Sequence, residues 1–489
     1  MTRPNFEWWT RPYPAAVFDL YSRVEFADLF TTYQGTRHDI LGAVIDQAMQ
    51  AGARSAVAEY RYLDADYRNE HSRFYSTTFR RYPSVAHRIH FFSEDVPSSA
   101  LDADRPTAFD NYGYVGYSVM RPVSAGPIGR TVLRPPEALF NHVSCKATDH
   151  VNLFGTELSV VGAPFMTQES QLGVCIHVTA WVCAYAHHLE FGAQRFLPGD
   201  IASFAPHEVG RLVPAPGMSV GQLSAILEAA ALPAVVYDAQ DLPEGETIFT
   251  IACRYLNSGF PVVVAGGGHA FVLVGYRQMH AAGGARIEFI RQDDQQGPYD
   301  VVEDPNFDRW RPWEYLVIPL PPKVYVSGEK AETVGADTLV TALTQRGTPE
   351  DEALLERIRD GRVDFRATAL PSNDFKTGSE FQPSLRERNA PPELVGAYHW
   401  THMSRWVWVV EAVSTDDWEE GRASVVAEVI IDATDHTGDP RPLTWRLPGQ
   451  LAAWDPDRDR VGLIDLPDVP PLRSASRVDA TLQGGNAHG

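Results

Sequence analysis

Gly259-Phe260-Pro261-Val262-Val263-Val264-Ala265-Gly266-Gly267-Gly268-His269-Ala270-Phe271-Val272-Leu273-Val274-Gly275-Tyr276 decides how this chain is read. Two apolar, β-branched runs flank three consecutive glycines, the pattern of two buried strands joined through a glycine turn. Glycines let backbone and ligand come close, so a histidine opening the second strand can face a cleft. The ordinary alternative is a structural histidine holding a backbone carbonyl. A third apolar run, Arg286 to Arg291, leads into Gln292-Asp293-Asp294-Gln295-Gln296-Gly297-Pro298. A strand there would end in adjacent acids before a Gly-Pro turn. One acid can accept the His269 Nδ1–H and fix the ring's tautomer and orientation, while the other caps the turn. Alternation from Phe289 and Arg291 favours Asp293, with Asp294 as the alternate.

Upstream, Gln168-Glu169-Ser170-Gln171-Leu172-Gly173-Val174-Cys175-Ile176-His177-Val178-Thr179-Ala180-Trp181 is a polar, glycine-containing approach to an apolar helix. Val174, Val178, Trp181, Tyr185 and Leu189 recur at steps of three and four, so one face packs inward. Cys175 then lies in the first turn, where free N–H groups and the helix dipole favour a thiolate. A lone cysteine at a helix start is often structural. The histidine and acid segments downstream single this one out. Cys145, Cys183 and Cys253 sit inside strand or helix patterns and read as core residues. His177 is two residues from Cys175 and points to another face. It reads with His187 and His188 as a satisfied surface or core histidine.

The order of a helix-start cysteine, a histidine strand and an acid-ended strand resembles the papain-like cysteine peptidase superfamily, in particular bacterial peptidases of the bacteriocin-leader-processing type. The resemblance covers roughly residues 160–320 and rests on His269-Ala270-Phe271-Val272-Leu273-Val274-Gly275-Tyr276. It implies an α+β fold: a papain-like core in which a Cys-bearing helix packs on an antiparallel sheet carrying His and Asp, with α/β flanking regions. It also implies Cys175 as nucleophile, His269 as base and Asp293 as orienting acid. The family places an oxyanion-binding Gln six residues before the Cys. Here that position is Glu169, which leaves Gln168, brought in by a one-residue bulge, and Gln171 as its alternate.

The expected reaction is cleavage of an amide bond in a peptide or protein substrate through an acyl-enzyme on Cys175. The same triad serves transglutaminase-like acyl transfer or deamidation, and the same fold without turnover would serve as a scaffold or binding protein. No metal-ligand spacing, phosphate loop or dinucleotide fingerprint occurs in the sequence, so no metal and no cofactor are expected.

The 489 residues carry 42 Lys and Arg against 63 Asp and Glu, a formal charge of −21. Such a chain repels phosphate backbones and anionic lipid, so neither nucleic acid nor membrane is an expected partner. The locally basic stretch Arg73 to Arg88 reads as a solvated face. Residues 1–9 lack the apolar core of a signal peptide, and four cysteines form no disulfide framework, which points to the cytoplasm. The abundance of Ala, Arg, Pro and Asp suggests a bacterial chain. Three regions are expected: 1–135, an N-terminal α/β region packed on the core; 136–326, the catalytic domain; and 327–489, an α+β region with a fraying tail. Within them, Tyr67 to Tyr82 reads as a helix, two strands lie around Asp149-His150-Val151-Asn152, and Pro371 to Pro392 reads as a polar linker or loop.

Overall fold

The computed structural model describes residues 15–22, 38–101, 108–123, 126–168, 175–205, 219–281, 284–302, 313–419, 422–455, 458, 460–466 and 469–477. The fold is mixed α+β, with three sheets of seven, six and six strands. The chain divides into two compact units. One comprises Met1–Leu242, Phe260–Tyr276 and Glu288–Pro321; the other comprises Pro243–Gly259, Arg277–Ile287 and Pro322–Gly489.

In the first unit, strands β1 (Ala15–Asp19), β2 (Ser55–Tyr62), β3 (Ala86–Phe92), β4 (Tyr114–Met120), β5 (Ile128–Leu133), β6 (Ala147–Leu153) and β7 (Thr156–Phe165) form a sheet in the order β1-β2-β3-β4-β5-β7-β6. The expected boundary at 135/136 falls inside this sheet, because β5 pairs directly with β7 through Thr131 and Phe165. Asp149 to Asn152 lie within β6. The turn follows at Phe154 and Gly155, both at positive φ, as a two-residue hairpin demands.

Helices α1 (His38–Gln50) and α2 (Ala65–Arg73) belong to the same unit. Asp64 caps α2 by accepting from the Tyr67 N–H at 2.9 Å. The helix stops at Arg73, well short of Tyr82. Ser76 and Thr78 hydroxyls there donate to the Ser72 and Arg80 carbonyls, offering the backbone an alternative to helix. The basic stretch is not a solvated face throughout. Arg88 is buried against Glu59 at 2.9 Å, and Arg73 pairs with Asp200 at 2.6 Å.

The second sheet carries the chemistry. It contains β8 (Ala234–Asp238), β9 (Val262–Gly266), β10 (His269–Ala281), β11 (Gly284–Asp293), β12 (Gly297–Val302) and β13 (Tyr315–Pro319), in the order β12-β11-β10-β9-β13-β8. Gly267 and Gly268 both have positive φ (56° and 76°) and make the two-residue turn between β9 and β10. That turn fixes the register His269↔Gly266, so the histidine is the first residue of its strand. At Gly275 the strand runs against another segment: Val143 forms a bridge with it, and the Tyr276 N–H donates to the His142 carbonyl at 3.0 Å. A side chain at Gly275 would overlap the His142 carbonyl oxygen and come within 2.7 Å of Val143 Cα.

Two further helices of this unit bear on the site, α3 (Cys175–Phe191) and α4 (Val220–Ala229). The α3 helix is buried around most of its circumference, with Ile176 and every residue from Thr179 to His187 inside. The one-faced pattern read from the spacing is too narrow for a helix that is apolar nearly all round. Tyr185 anchors it through buried bonds to Asp149 and Arg130, each at 3.3 Å.

The second unit contains α5 (Ile248–Asn257), α6 (Gly328–Arg346), α7 (Pro349–Arg359) and α8 (Pro392–Trp400). Its sheet is a meander of β14 (Val363–Pro371), β15 (Trp406–Ser414), β16 (Val425–Asp432), β17 (Pro442–Leu447), β18 (Gln450–Asp455) and β19 (Arg460–Asp465). Pro371 to Pro392 is not a linker. It buries Phe375 and Leu385 in the core, and its fully buried Arg388 reaches Glu411 and Glu428, both at 2.8 Å. Burial alone would raise the Glu428 pKa, yet Arg388, Arg446 and the Tyr398 hydroxyl hold it down to about 2. The start of the expected fraying tail is ordered as well: Leu472 bonds to Val425, and Ala475 is buried with its N–H on Glu411.

Gly275→Ala is expected to destabilise the protein by about 2–3 kcal/mol, the upper range for forcing atoms into a packed site. Thermal unfolding checks this.

Candidate active site

Two elements bring side chains to one cleft of about 650 Å³, and a third backs them from inside the sheet. From α3 comes Cys175, partly exposed and the first residue of the described helix. At a helix start, backbone N–H groups and the positive end of the dipole favour a thiolate. From β10 comes His269, placed by the glycine turn. From the end of β11 comes Asp293, with no exposed side-chain surface. Since β10 and β11 are neighbours in the sheet, the first residue of one and the last of the other share one end of it.

His269 Nε2 lies 2.9 Å from Asp293 Oδ1. The expectation that the acid would take the Nδ1–H is therefore corrected: the ring enters from the turn with Nε2 directed at the sheet end. Nδ1 then faces the cleft, where the Gln295 side-chain amide lies 3.2 Å from it. Asp294 stands further off, 3.7 Å from Nε2. Asp293 Oδ1 also accepts from the Gln295 N–H at 2.9 Å, and Arg291 lies 3.6 Å from Oδ2.

Electrostatics follow from this geometry. Burial alone would lower the His269 pKa. Hydrogen bonds to Asp293 and Cys175, together with the charges of Asp293 and Asp294, outweigh it and lift the imidazole to about 9. Burial would likewise raise Asp293, but the imidazole, Arg291 and the Gln295 N–H pull it below the ordinary carboxylate range. The imidazolium is thus the favoured form at neutral pH.

Gln168 lines the cleft with Cys175. Gln171 and Glu169 lie outside the described residues. Burial pushes the Cys183 thiol well up and that of Cys253 to about 12, and Cys145 is buried too. His187 is buried with Nε2 3.1 Å from the Pro319 carbonyl, and His188 Nδ1 lies 2.7 Å from that of Ala193. His177 differs from the expected satisfied histidine. Neither ring nitrogen has a partner, and burial lowers its pKa.

Ligand atoms of His269, Asp293 and Asp294 lie within 4.8 Å of one another. Asp293 is already engaged by the imidazole, Arg291 and an amide, so a cation would have to displace bonds that hold the ring. Among the described residues no helix is long and apolar enough to cross a membrane.

Among the cleft residues that sequence reading missed are Gln295 and Glu314. Gln295 had a usable signal, since a residue two positions after a turn-capping Asp receives its hydrogen bond. Glu314 precedes a strand and has no local signature. No protein-family model matches the chain, and no curated protein matches its sequence.

Carboxymethylation of Cys175 by iodoacetate, an anion drawn by the imidazolium, should fall as pH rises through about 9. In Asp293→Asn that alkaline limb should move down toward the ordinary imidazole value of about 6.5. Peptide mass spectrometry of quenched time points reads both.

Proposed function

We propose that this chain is a papain-like thiol hydrolase that cleaves an amide bond through an acyl-enzyme on Cys175. The observation that carries the proposal is the arrangement of His269. Its Nε2 is held by a buried carboxylate, and its pKa is lifted by both that carboxylate and the Cys175 thiol. A structural histidine needs the first interaction and not the second.

The chemistry follows from the residues. His269 stands as the imidazolium, and passage of the Cys175 proton to solvent leaves a thiolate–imidazolium pair that Asp293 stabilises from behind. The thiolate attacks the carbonyl carbon and its oxygen becomes an oxyanion. The Cys175 N–H and the Gln168 amide are the donors available to it. The imidazolium then protonates the leaving amine, and water, deprotonated by the same ring, releases the acid. Gln295 contacts Nδ1 from the cleft side, so substrate entry exchanges one neighbour of that nitrogen for another.

An alkyne-tagged thiol-reactive peptidyl ketone should label the wild-type protein and not Cys175→Ala. His269→Ala should slow labelling by about 10²–10⁴-fold, and Gln168→Ala should slow turnover of a cleaved peptide by about 10²–10³-fold. Labelling that survives in Cys175→Ala would overturn the proposal. Mass analysis of products formed with an added amine separates hydrolysis from acyl transfer.

A further inference from the structure

Glu314 stands one residue before β13 and lines the cleft. Its backbone is spent in the sheet: the N–H donates to the Ala265 carbonyl at 3.1 Å, and its carbonyl accepts from the Ala239 N–H at 2.9 Å. The side chain is exposed and meets the Gly267 N–H at 3.3 Å. No ion pair engages it among the described residues. Around the cleft, again among the described residues, it is the one carboxylate, and neither lysine nor arginine is present.

The register explains where this carboxylate aims. Tyr315 pairs with Ala265, the Glu314 N–H reaches the same Ala265 carbonyl, and the Glu314 side chain meets the Gly267 N–H, so Glu314 stands beside the turn end of β9. Gly266, at that end, is the partner of His269. Glu314, just before β13, and His269, at the start of β10, flank the glycine end of β9 and line the same cleft, two strand spacings or roughly 10 Å apart across the sheet. The glycine leaves a trough running from the imidazole to the carboxylate.

Resting on the thiol-hydrolase reading above, we propose that Glu314 selects the substrate: a peptide bearing a lysine or arginine within about three residues of the attacked carbonyl, on the acyl side. Three extended residues span roughly 10 Å, which matches the trough. A cationic side chain at the end of the trough away from the imidazolium meets a carboxylate held by the Gly267 N–H alone, and no lysine or arginine in the described lining. An acidic side chain at that place meets repulsion.

The test uses the full chain and three sets of tagged acyloxymethyl ketone peptides. Lysine, norleucine or glutamate is walked through the three positions before the ketone, and the labelling rate of Cys175 is read by mass spectrometry. In the wild type, lysine at one of these positions should react about fivefold faster than norleucine, the most an exposed ion pair provides. Glutamate should be slowest, and the spread should shrink in high salt. Glu314→Gln should erase the preference and Glu314→Lys should reverse it. Cys175 labelled at equal rates by all three sets, or a lysine preference that persists in Glu314→Gln, overturns the selection by Glu314 and leaves the thiol chemistry standing. Failure of every probe to label Cys175 overturns both.

Discussion

A carboxylate with no exposed surface has to stay charged for this site to exist. Asp293 sits where burial alone would neutralise it, and an uncompensated charge there would cost several kcal/mol. Three groups prevent that: the imidazole at 2.9 Å, the Gln295 N–H at 2.9 Å and Arg291 at 3.6 Å. Each comes from a different local feature. The glycine turn sets the imidazole, the reversal after β11 sets the amide, and the face of β11 sets the guanidinium. The end of β11 is itself pinned, because Gln292 spans the Ala163 carbonyl and the Tyr299 N–H, while the Tyr299 hydroxyl donates to Leu133. A satisfied network of this kind holds its members in one geometry, and the histidine inherits that geometry.

Much of the site could be read from the chain because its signals are local. A two-residue glycine turn has few backbone solutions, so His269 had to open β10. A helix beginning near Cys175 follows from an apolar run after Gly173, and Asp293 before Asp294 follows from alternation along β11. What could not be read is what depends on distance in space. Which imidazole nitrogen meets the acid depends on the direction from which the ring arrives. Gln295 and Glu314 join the cleft through reversal and register, and neither lies in a motif. The papain-like reading of residues 160–320 remains the proposal of this work; the α+β architecture with antiparallel pairing is what the strands display.

Two further misreadings share a cause, buried charge. Polar stretches were taken for surface. Arg388 made residues 371–392 look like a loop, and Arg88 made its stretch look solvated, although both are inside with carboxylate partners. Arg121 pairs with Glu70 at 2.8 Å, and Arg130 with Asp64 at 3.0 Å, in the same manner. Composition cannot distinguish a guanidinium facing water from one sealed against a carboxylate, since the partner lies tens of residues away.

The segment Val469–Arg477 is a keystone of the second unit. It supplies Leu472 and Ala475 to the core, and it sends two donors, the Ser474 hydroxyl and the Ala475 N–H, to Glu411. Glu411 also belongs to the Arg388 cluster, so a proteolytic nick that freed this short piece would strip donors from a sealed acid on β15. The unit would then come apart cooperatively from its C-terminal side, without any cut in a helix or strand.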